Sequence, residues 1–296
     1  MKVADTIAAG HTRARPADFV TLAKPRLNML VVASAMAGYV MGGGPMSDVP
    51  LVLMTLVGTA LVAGGASAFN QVMERMRDAR MERTRLRPMA DGRLQPSEGV
   101  LFASAMTIAG LSILTFGVNV LSACVAAATL LTYAAIYTPL KPRTSFATVI
   151  GAVPGALPPV IGWAAATGTL SRGGWVLFGI VFLWQLPHFL AIAWMYREDY
   201  ARGGFPMLPV IDPDGRSTAR QAVVYAAALL PMSLAPTLAG MATTTYFVGA
   251  LILTLLFLGL AIRFAMTRHR NDARRLFFGS ITYLPLLWVL MIAGRA

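Results

Sequence analysis

Nine long apolar runs, separated by shorter polar segments, constrain the fold of this chain more than any other feature of its sequence. Each run reaches or approaches the roughly 20 residues that an α-helix needs to cross a bilayer. Only 13% of the 296 residues are charged, about half of the share in a soluble domain. The sequence therefore predicts an all-α polytopic membrane protein with nine transmembrane helices. The predicted spans are residues 27–44, 50–73, 99–117, 120–138, 146–166, 174–196, 221–240, 246–267 and 276–294.

Positive charges are distributed unequally among the segments that join these spans. With the N-terminus in the cytoplasm, Arg172 and Arg295 fall on the far side, and the other 23 of the 25 lysines and arginines fall on the cytoplasmic side. Such an excess is typical of cytoplasmic loops, so it explains the net charge of +12 without nucleic-acid binding. It also predicts a cytoplasmic N-terminal segment, residues 1–26, ahead of a membrane domain over residues 27–296.

Two of the predicted cytoplasmic segments, 74–98 and 197–220, are unusually long and polar. Connections between packed helices in a bundle are generally shorter. Each of the two segments follows an even-numbered span and contains acidic residues close to the end of that span. We therefore expect these two loops to carry the functional site, at the cytoplasmic face of the bundle.

The second span ends in FNQVMERMRDARMERTRLRP, residues 69–88, which combines acids with six arginines. Asn70, Glu74, Asp78 and Glu82 are four residues apart, so on a continuous helix they form one stripe of oxygen ligands. A solvated helix end with ion pairs between neighbouring turns accounts for the charges alone. It does not account for Asn70, because a polar amide within an apolar span is costly and needs a partner. The stripe therefore indicates Mg²⁺, which binds through one or two carboxylates and substrate phosphate oxygens.

The same segment is also rich in arginines, which supply the positive charges that a phosphate site needs in addition to a metal ion. Guanidinium groups bind phosphate through paired hydrogen bonds. The arginines concerned are Arg75, Arg80, Arg83, Arg85 and Arg87. The segment YTPLKPRTS at the end of the fourth span contributes Tyr137 and Lys141, one helical turn apart. Interleaved acids and cations predict a metal–diphosphate site, although ordinary cytoplasmic charge is the alternative explanation for each cation taken alone.

The second long loop adds further acids in YREDYARGGFPMLPV, residues 196–210. Glu198 and Asp199 lie where the sixth span ends and are predicted to complete the site, with an ordinary interfacial loop as the alternative. His188 lies within that span. It has two interpretations: a hydrogen bond between neighbouring helices, or a direct contact with a substrate or haem.

These motifs together resemble the UbiA superfamily of intramembrane prenyltransferases. The resemblance covers nearly the whole chain through AKPRLNMLVVASAMAGY (23–39), NQVMERMRDARMERTRLRP (70–88), YTPLKPRTSFATVIGAVPGALPPVIGW (137–163), WQLPHF (184–189) and YREDYARGGFPMLPV (196–210). The last two stretches and RTRLRP are similar to the branch that farnesylates haem, not to the quinone-precursor branch. The resemblance implies a helical bundle with a central cavity that opens near the cytoplasmic face of a bacterial inner membrane.

The resemblance also implies roles for individual residues. The expected catalytic residues are Asn70, Glu74, Asp78 and Asp199, which with Glu198 would hold Mg²⁺ on farnesyl diphosphate. The expected diphosphate contacts are Arg75, Arg83, Arg87, Tyr137 and Lys141. His188 would contact haem. Many members of the superfamily have an acid at the position of Met76, so this chain departs from the family pattern there.

The implied reaction transfers a farnesyl group from farnesyl diphosphate to a vinyl group of haem b, giving haem O for haem–copper oxidases. The alternative enzyme is a relative that acts on an aromatic quinone precursor. A transporter and a non-catalytic oxidase assembly factor are alternatives from other classes. Transporters bind solutes near the bilayer midplane, whereas these acids cluster at one face, which favours the enzyme. Implied partners are both substrates, the lipid bilayer, and a haem A synthase or the oxidase assembly machinery.

Overall fold

In the computed structural model, which describes residues 16–296, the chain is built from helices throughout. Residues 1–15 of the predicted N-terminal segment 1–26 lie outside the described residues. The α-helices are α1 Pro16–Ala23, α2 Pro25–Met41, α3 Val49–Asp78, α4 Pro96–Gly117, α5 Val120–Leu131, α6 Thr138–Leu140, α7 Ala147–Ala156, α8 Pro158–Thr167, α9 Arg172–Met195, α10 Arg197–Arg202, α11 Leu208–Ile211, α12 Arg216–Leu238, α13 Thr244–Thr267 and α14 Arg270–Ala293. The predicted all-α architecture is confirmed.

Within residues 16–296, eight helical stretches are long and apolar enough to cross a membrane. They are Val49–Asp78, Pro96–Gly117, Val120–Leu140, Ala147–Thr167, Arg172–Met195, Arg216–Leu238, Thr244–Thr267 and Arg270–Ala293. The remaining predicted span, 27–44, corresponds to α2, whose 17 residues are at the lower end of the length that crosses a bilayer. The predicted nine-helix plan is therefore confirmed.

Two spans are interrupted where their sequences contain proline. The stretch Val120–Leu140 consists of α5, a π-helical segment Thr132–Tyr137, and α6, which contains Pro139. The next span breaks between α7 and α8, directly before Pro158, whose ring nitrogen cannot donate a helical hydrogen bond. The first interruption is thus a π-helical segment, a feature that occurs frequently at functional sites.

The helices pack side by side in a closed circuit. Helix α2 packs on α3 and α8, α9 packs on α7, α12 and α14, and α14 returns to α2. The closest approach joins α2 and α8, where a Cβ atom on Gly38 would lie 1.9 Å from the carbonyl oxygen of Pro159. A Cβ atom on Gly162 would likewise lie 1.8 Å from the carbonyl oxygen of Ala35. Glycine is needed at both positions, because small residues let helix backbones meet within a membrane.

The polar connections after α3, α6, α9 and α13 gather at one end of the bundle, which we call the loop end. Here the two long loops pack on each other around the buried residues Met81, Ala193, Phe205 and Met207. The predicted loop 197–220 contains α10 and α11, and α12 already begins at Arg216. Helix α1 also docks at this end, because Asp18 pairs with Arg93 and the Gln71 side chain donates to the carbonyl oxygen of Leu22 at 2.9 Å.

Candidate active site

The C-terminal part of α3 brings three of the predicted ligands together. The helix continues beyond its apolar run, so Asn70, Glu74 and Asp78 lie on one helix face and are all buried. Glu82 does not extend this stripe, and that part of the prediction is wrong. Helix α3 ends at Asp78, whose carbonyl oxygen accepts a hydrogen bond of 2.8 Å from the Thr84 hydroxyl as the chain turns back. The Glu82 carboxylate is exposed and pairs with Arg85.

Each carboxylate of the α3 stripe has one oxygen paired with a cation and one oxygen without a partner. Lys141 Nζ is 2.9 Å from Glu74 Oε2, and Arg87 Nη1 is 2.8 Å from Asp78 Oδ2. Glu74 Oε1 and Asp78 Oδ1 are buried and accept no hydrogen bond from the part of the chain that the structure describes. Leaving a buried acceptor unpaired costs about 1–3 kcal/mol. These two oxygens are therefore placed to receive a cation.

The amide of Asn70 is oriented by the π-helical part of the fourth span. Asn70 Nδ2 donates to the Thr138 hydroxyl at 3.2 Å, and that hydroxyl donates to the carbonyl oxygen of Tyr133 at 2.9 Å. The amide oxygen of Asn70 remains as an acceptor. Two carboxylate oxygens and an amide oxygen are hard ligands of the kind that Mg²⁺ prefers. The set fits Mg²⁺, which takes its remaining ligands from water and phosphate oxygens. Within residues 16–296 no three His, Cys, Asp or Glu residues form a metal cluster by themselves.

The second acidic motif has different partners. Asp199 Oδ1 accepts from the backbone N–H of Glu82 at 3.0 Å, Oδ2 accepts from that of Arg83 at 3.3 Å, and Arg202 pairs with the carboxylate. Burial acts to raise the pKa of Asp199, but these hydrogen bonds outweigh it and hold the pKa below its ordinary value. Glu198 is exposed. The structure does not gather these two acids with the α3 carboxylates, and their role as metal ligands stays a prediction.

Two of the predicted diphosphate contacts, Arg87 and Lys141, adjoin the α3 carboxylates directly through the ion pairs described above. Tyr137 lies next to Lys141, with its ring centroid 5.9 Å from Nζ. The Phe205 ring from the second loop lies closer, at 4.5 Å from the same ammonium. Aromatic faces attract cations, so Tyr137 and Phe205 hold Lys141 over Glu74. The structure thus brings Tyr137, Lys141 and Arg87 into one site, as the sequence predicts.

The other two predicted diphosphate contacts, Arg75 and Arg83, make different interactions. Arg83 lies over the rings of Tyr196 and Tyr200, at 5.2 and 5.7 Å from their centroids. Arg75 donates to the carbonyl oxygen of Val72 at 3.1 Å, on its own helix. Neither guanidinium is paired with the α3 carboxylates, so contact of Arg75 and Arg83 with a diphosphate stays a prediction.

Lys24 is a cation of this site that sequence reasoning missed. It precedes α2 with a φ angle of 47°, which is uncommon for a residue other than glycine. Its charge interacts electrostatically with Glu74, Asp78, Lys141 and Arg87. Burial, with repulsion from Arg87, lowers the pKa of Lys24 to about 7. The available signal was a lysine directly before Pro25, at the start of an apolar span.

A cavity of about 270 Å³ lies deeper in the bundle, on the α3 face that carries the carboxylates. Ala63, Ala66 and Ser67 of α3 line it, and the same helical spacing continues to Asn70 and Glu74. The other lining residues are Lys24, Leu27, Asn28, Val31, Thr129, Tyr133, Gly151, Pro154, Gly155, Pro158 and Phe189. The cavity is mainly apolar, and Lys24 lies where it meets the charged site.

His188 lies apart from the charged groups, between α9 and α14. Its Nδ1 atom is 2.6 Å from Ser280 Oγ. The imidazole stacks on Trp184 and on Phe277, with centroid separations of 5.4 and 5.0 Å. This geometry is the hydrogen bond between helices that the sequence offered as one interpretation. A contact of His188 with haem stays a prediction.

Comparison with known sequences gives consistent matches. The profile of the UbiA prenyltransferase family matches residues 31–284. The protoheme IX farnesyltransferase of Solibacter usitatus (strain Ellin6076) is 49% identical over 287 residues, which cover 94% of this chain and 98% of that protein. The mitochondrial protoheme IX farnesyltransferase of Homo sapiens is 40% identical over 280 residues, which cover 95% of this chain and 62% of that protein.

Solved structures share the arrangement of helices. A digeranylgeranylglyceryl phosphate synthase superposes with a TM-score of 0.78 at 15% sequence identity, covering 94% of this chain and 97% of the other. A UbiA homolog from Archaeoglobus fulgidus bound to GPP and Mg²⁺ superposes with a TM-score of 0.63 at 14% identity, covering 93% and 99%. At such low identity the similarity shows a common fold.

Proposed function

The chain belongs to the UbiA prenyltransferase family, and we propose that it transfers a farnesyl group from farnesyl diphosphate to a vinyl group of haem b, giving haem O. Relatives that are 49% and 40% identical over almost the whole chain are named protoheme IX farnesyltransferase. The observation that carries the proposal is the pair of unpartnered oxygens on Glu74 and Asp78 at the charged end of an apolar cavity.

Asn70, Glu74 and Asp78 are the residues that would hold Mg²⁺. When bound, the ion supplies positive charge to the departing diphosphate. The unpartnered oxygens support this assignment, as does the Archaeoglobus fulgidus homolog bound to GPP and Mg²⁺. The protein itself contributes an ordered helix face, on which the three ligands are held before the substrate arrives.

Three cations would bind the diphosphate itself. Arg87 and Lys141 are bonded to the carboxylates, and Lys24 lies within electrostatic reach of both. Below about pH 7, where Lys24 is an ammonium, three positive charges around two carboxylates leave an excess that suits an anion. As the bond between farnesyl C1 and oxygen breaks, the electron pair leaves with the diphosphate, and these preorganised cations stabilise the developing negative charge.

The apolar cavity would hold the farnesyl chain and exclude water from the allylic cation that remains. The Tyr133 and Phe189 side chains line it, and aromatic faces stabilise a nearby cation. Farnesyl C1 then bonds to the terminal vinyl carbon of haem. The positive charge moves to the carbon next to the porphyrin, where water adds as hydroxyl and releases a proton. The product carries the hydroxyethylfarnesyl side chain of haem O.

We also propose that the loop end faces the cytoplasm of a bacterial cell, with the bundle in the inner membrane. Helix connections at this end contain most of the arginines and lysines, whereas Arg172 and Arg295 lie at the opposite end. A positive excess of this kind marks the cytoplasmic side. Haem O would pass from here to a haem A synthase or to the assembly of haem–copper oxidases.

The acceptor can be tested directly in membranes that contain the protein. They are supplied with farnesyl diphosphate, Mg²⁺ and, in separate reactions, haem b or 4-hydroxybenzoate, and products are identified by chromatography and mass spectrometry. We expect haem O from haem b and no prenylated benzoate. Prenylated benzoate without haem O would replace this function by the quinone-precursor alternative. The absence of both products from correctly inserted protein would contradict prenyl transfer.

A further inference from the structure

A second and larger cavity opens at the loop end, on the other side of the second acidic motif. Its volume is about 610 Å³, within the range of small-molecule sites. Its walls come from four segments: the turn after α3, the end of α9 with α10, the chain before α12, and the turn between α13 and α14. None of Asn70, Glu74 and Asp78 lines it, whereas Glu198 and Asp199 of the second acidic motif do, so its lining differs from that of the site around the α3 carboxylates.

The carboxylates of this pocket are mostly neutralised, whereas several of its guanidinium groups are not. The paired acids are Glu82 with Arg85, Asp199 with Arg202, and Asp214 with Arg216. The cations that form no ion pair within residues 16–296 are Arg197, Arg268 and Arg270. Glu198 is the one lining acid that forms no ion pair among the described residues, although its charge interacts with that of Arg202. Four arginines and four acids line the pocket. Three of the acids form ion pairs, whereas Arg202 is the one lining arginine that does so among the described residues, so the excess of unpaired cations favours an anionic ligand.

Trp194 holds two of these cations in place. The guanidinium of Arg197 lies over its ring at 4.4 Å from the centroid, and its indole N–H donates to the carbonyl oxygen of Arg268 at 3.0 Å. Arg268 has a φ angle of 52° because it is the left-handed C-cap of α13, where its backbone N–H donates to the carbonyl oxygen of Phe264. These two hydrogen bonds maintain this conformation, so the wall of the pocket is preorganised.

We propose that this pocket binds the propionate groups of the haem substrate. The inference rests on the proposed function, since it assigns a site to the acceptor of that reaction. Haem b bears vinyl groups on two pyrrole rings and ionised propionates on the other two. The reacting vinyl group must reach an apolar cavity, while charged groups are costly within a bilayer. A cationic pocket at the loop end keeps the propionates at the surface, where guanidinium groups bind carboxylates through paired hydrogen bonds.

A diphosphate suits this pocket less well than a carboxylate does. Among the described residues, unpartnered buried carboxylate oxygens occur at Glu74 and Asp78 and not in the pocket. Three of the four acids that line the pocket, Glu82, Asp199 and Asp214, already pair with arginines, so the unpartnered buried oxygens that suit Mg²⁺ on a diphosphate are those of the α3 stripe. The free guanidinium groups of the pocket match an anion that binds without a metal.

A double variant, Arg268→Gly with Arg270→Ala, removes two of the free cations. Glycine adopts the left-handed conformation without strain, so the backbone at residue 268 is preserved. Arg274→Ala is the matched control, because Arg274 is exposed on the same helix, α14, but does not line the pocket. We expect the KM for haem b to rise about tenfold or more in the double variant. The KM for farnesyl diphosphate should stay unchanged, and the control should match wild type.

Haem b dimethyl ester, whose propionates are uncharged, distinguishes charge recognition from a general loss of structure. We expect wild type to bind haem b about tenfold more tightly than the ester, and the double variant to bind both alike. Equal affinities in wild type, an unchanged KM for haem b in the double variant, or a raised KM for farnesyl diphosphate would each overturn the proposal.

Spectroscopic titration of purified protein measures this contrast without turnover. If wild type forms no haem O but still prefers the acid over the ester, the proposed function fails while the propionate site stands. If wild type forms haem O without that preference, the propionate site fails while the proposed function stands.

Discussion

The two acidic motifs of this protein contain the same kinds of residue but use their oxygen atoms differently. Glu74 and Asp78 lie within the long helix α3, and each keeps one buried oxygen without a partner. Asp199 lies in the short helix α10 and accepts hydrogen bonds from two backbone amides of the other loop, while Glu198 is exposed.

The backbone explains the difference. Within a long helix the N–H groups already donate to the preceding turn, so few donors remain near a carboxylate on that helix. In turns the N–H groups lack such partners and seek acceptors. A helix interior therefore preserves free oxygens for an ion, whereas a loop carboxylate becomes a support for the loop. We infer that the first motif binds the metal and that Asp199 positions the turn that carries Arg83. A metal contact of Asp199 and Glu198 stays a prediction, which the Asp199 variant below tests.

The largest effect is expected from Asp78→Asn, which keeps the shape of the side chain but removes its charge. The variant loses a metal ligand and the partner of Arg87, so haem O formation should fall by about 10²–10³-fold. Asp48→Asn is the control, because asparagine preserves the helix cap at that position, at the opposite end of α3. Extracted pigments and membrane yield measure the outcome. Near-normal haem O formation by Asp78→Asn would contradict the assignment of this residue to the metal site.

A smaller loss is expected from Asp199→Ala, which leaves the amides of Glu82 and Arg83 without their acceptor. Activity should fall by about 10–100-fold, as for other supporting residues of active sites. The concentration of Mg²⁺ that gives half-maximal activity should stay at the wild-type value. If that concentration instead rises as strongly as in Asp78→Asn, the two motifs share one role and the contrast between them is lost.

Lys24 provides a pH test of the first motif. Its lowered pKa means that the ligand-free protein carries an ammonium below about pH 7 and a neutral amine above it. A diphosphate binds the charged form, so affinity for farnesyl diphosphate should fall as the pH rises through 7. Lys24→Met should cost about tenfold in affinity below pH 7 and much less above it, because a hydrogen bond to a charged group is worth about 1.5 kcal/mol or more.

Lys24→Arg is the matched variant, because arginine stays charged throughout this range. It should retain affinity and lose this part of the pH dependence, as measured by the KM for farnesyl diphosphate at a series of pH values. If the KM for farnesyl diphosphate depended on pH in the same way in wild type and in Lys24→Arg, a contact between Lys24 and the diphosphate would be contradicted.

The smallest effect is expected from Met76→Asp, which restores the acid found in many superfamily members. Met76 is 67% exposed, so it points away from the buried stripe of Glu74 and Asp78. Substitutions at such exposed positions usually change little, and activity and Mg²⁺ requirement should stay within about twofold of wild type. A tenfold gain would show that the first motif is incomplete without an acid at this position.

Sequence reasoning predicted the parts of this protein that depend on local spacing. Apolar length identified the nine spans, and a four-residue spacing placed Asn70, Glu74 and Asp78 on one helix face, as observed. The same spacing gave a wrong position for Glu82, because α3 ends at Asp78. The carbonyl oxygen of Asp78 accepts a hydrogen bond from the Thr84 hydroxyl as the chain turns back. No local sequence pattern predicts that the helix ends there, because polar residues continue on both sides of Asp78.

Only the tertiary structure decided which distant groups meet. Lys141 reaches Glu74 from another helix, Asp199 bonds to the turn after α3, and Lys24 joins the site from the start of α2. Such contacts depend on how the helices pack and on which backbone N–H groups remain free to donate. The spacing of residues in the sequence does not specify either of these. The sequence by itself determined a membrane bundle with a stripe of oxygen ligands. The packing decided that one acidic motif keeps its oxygens free while the other supports the loop beside it.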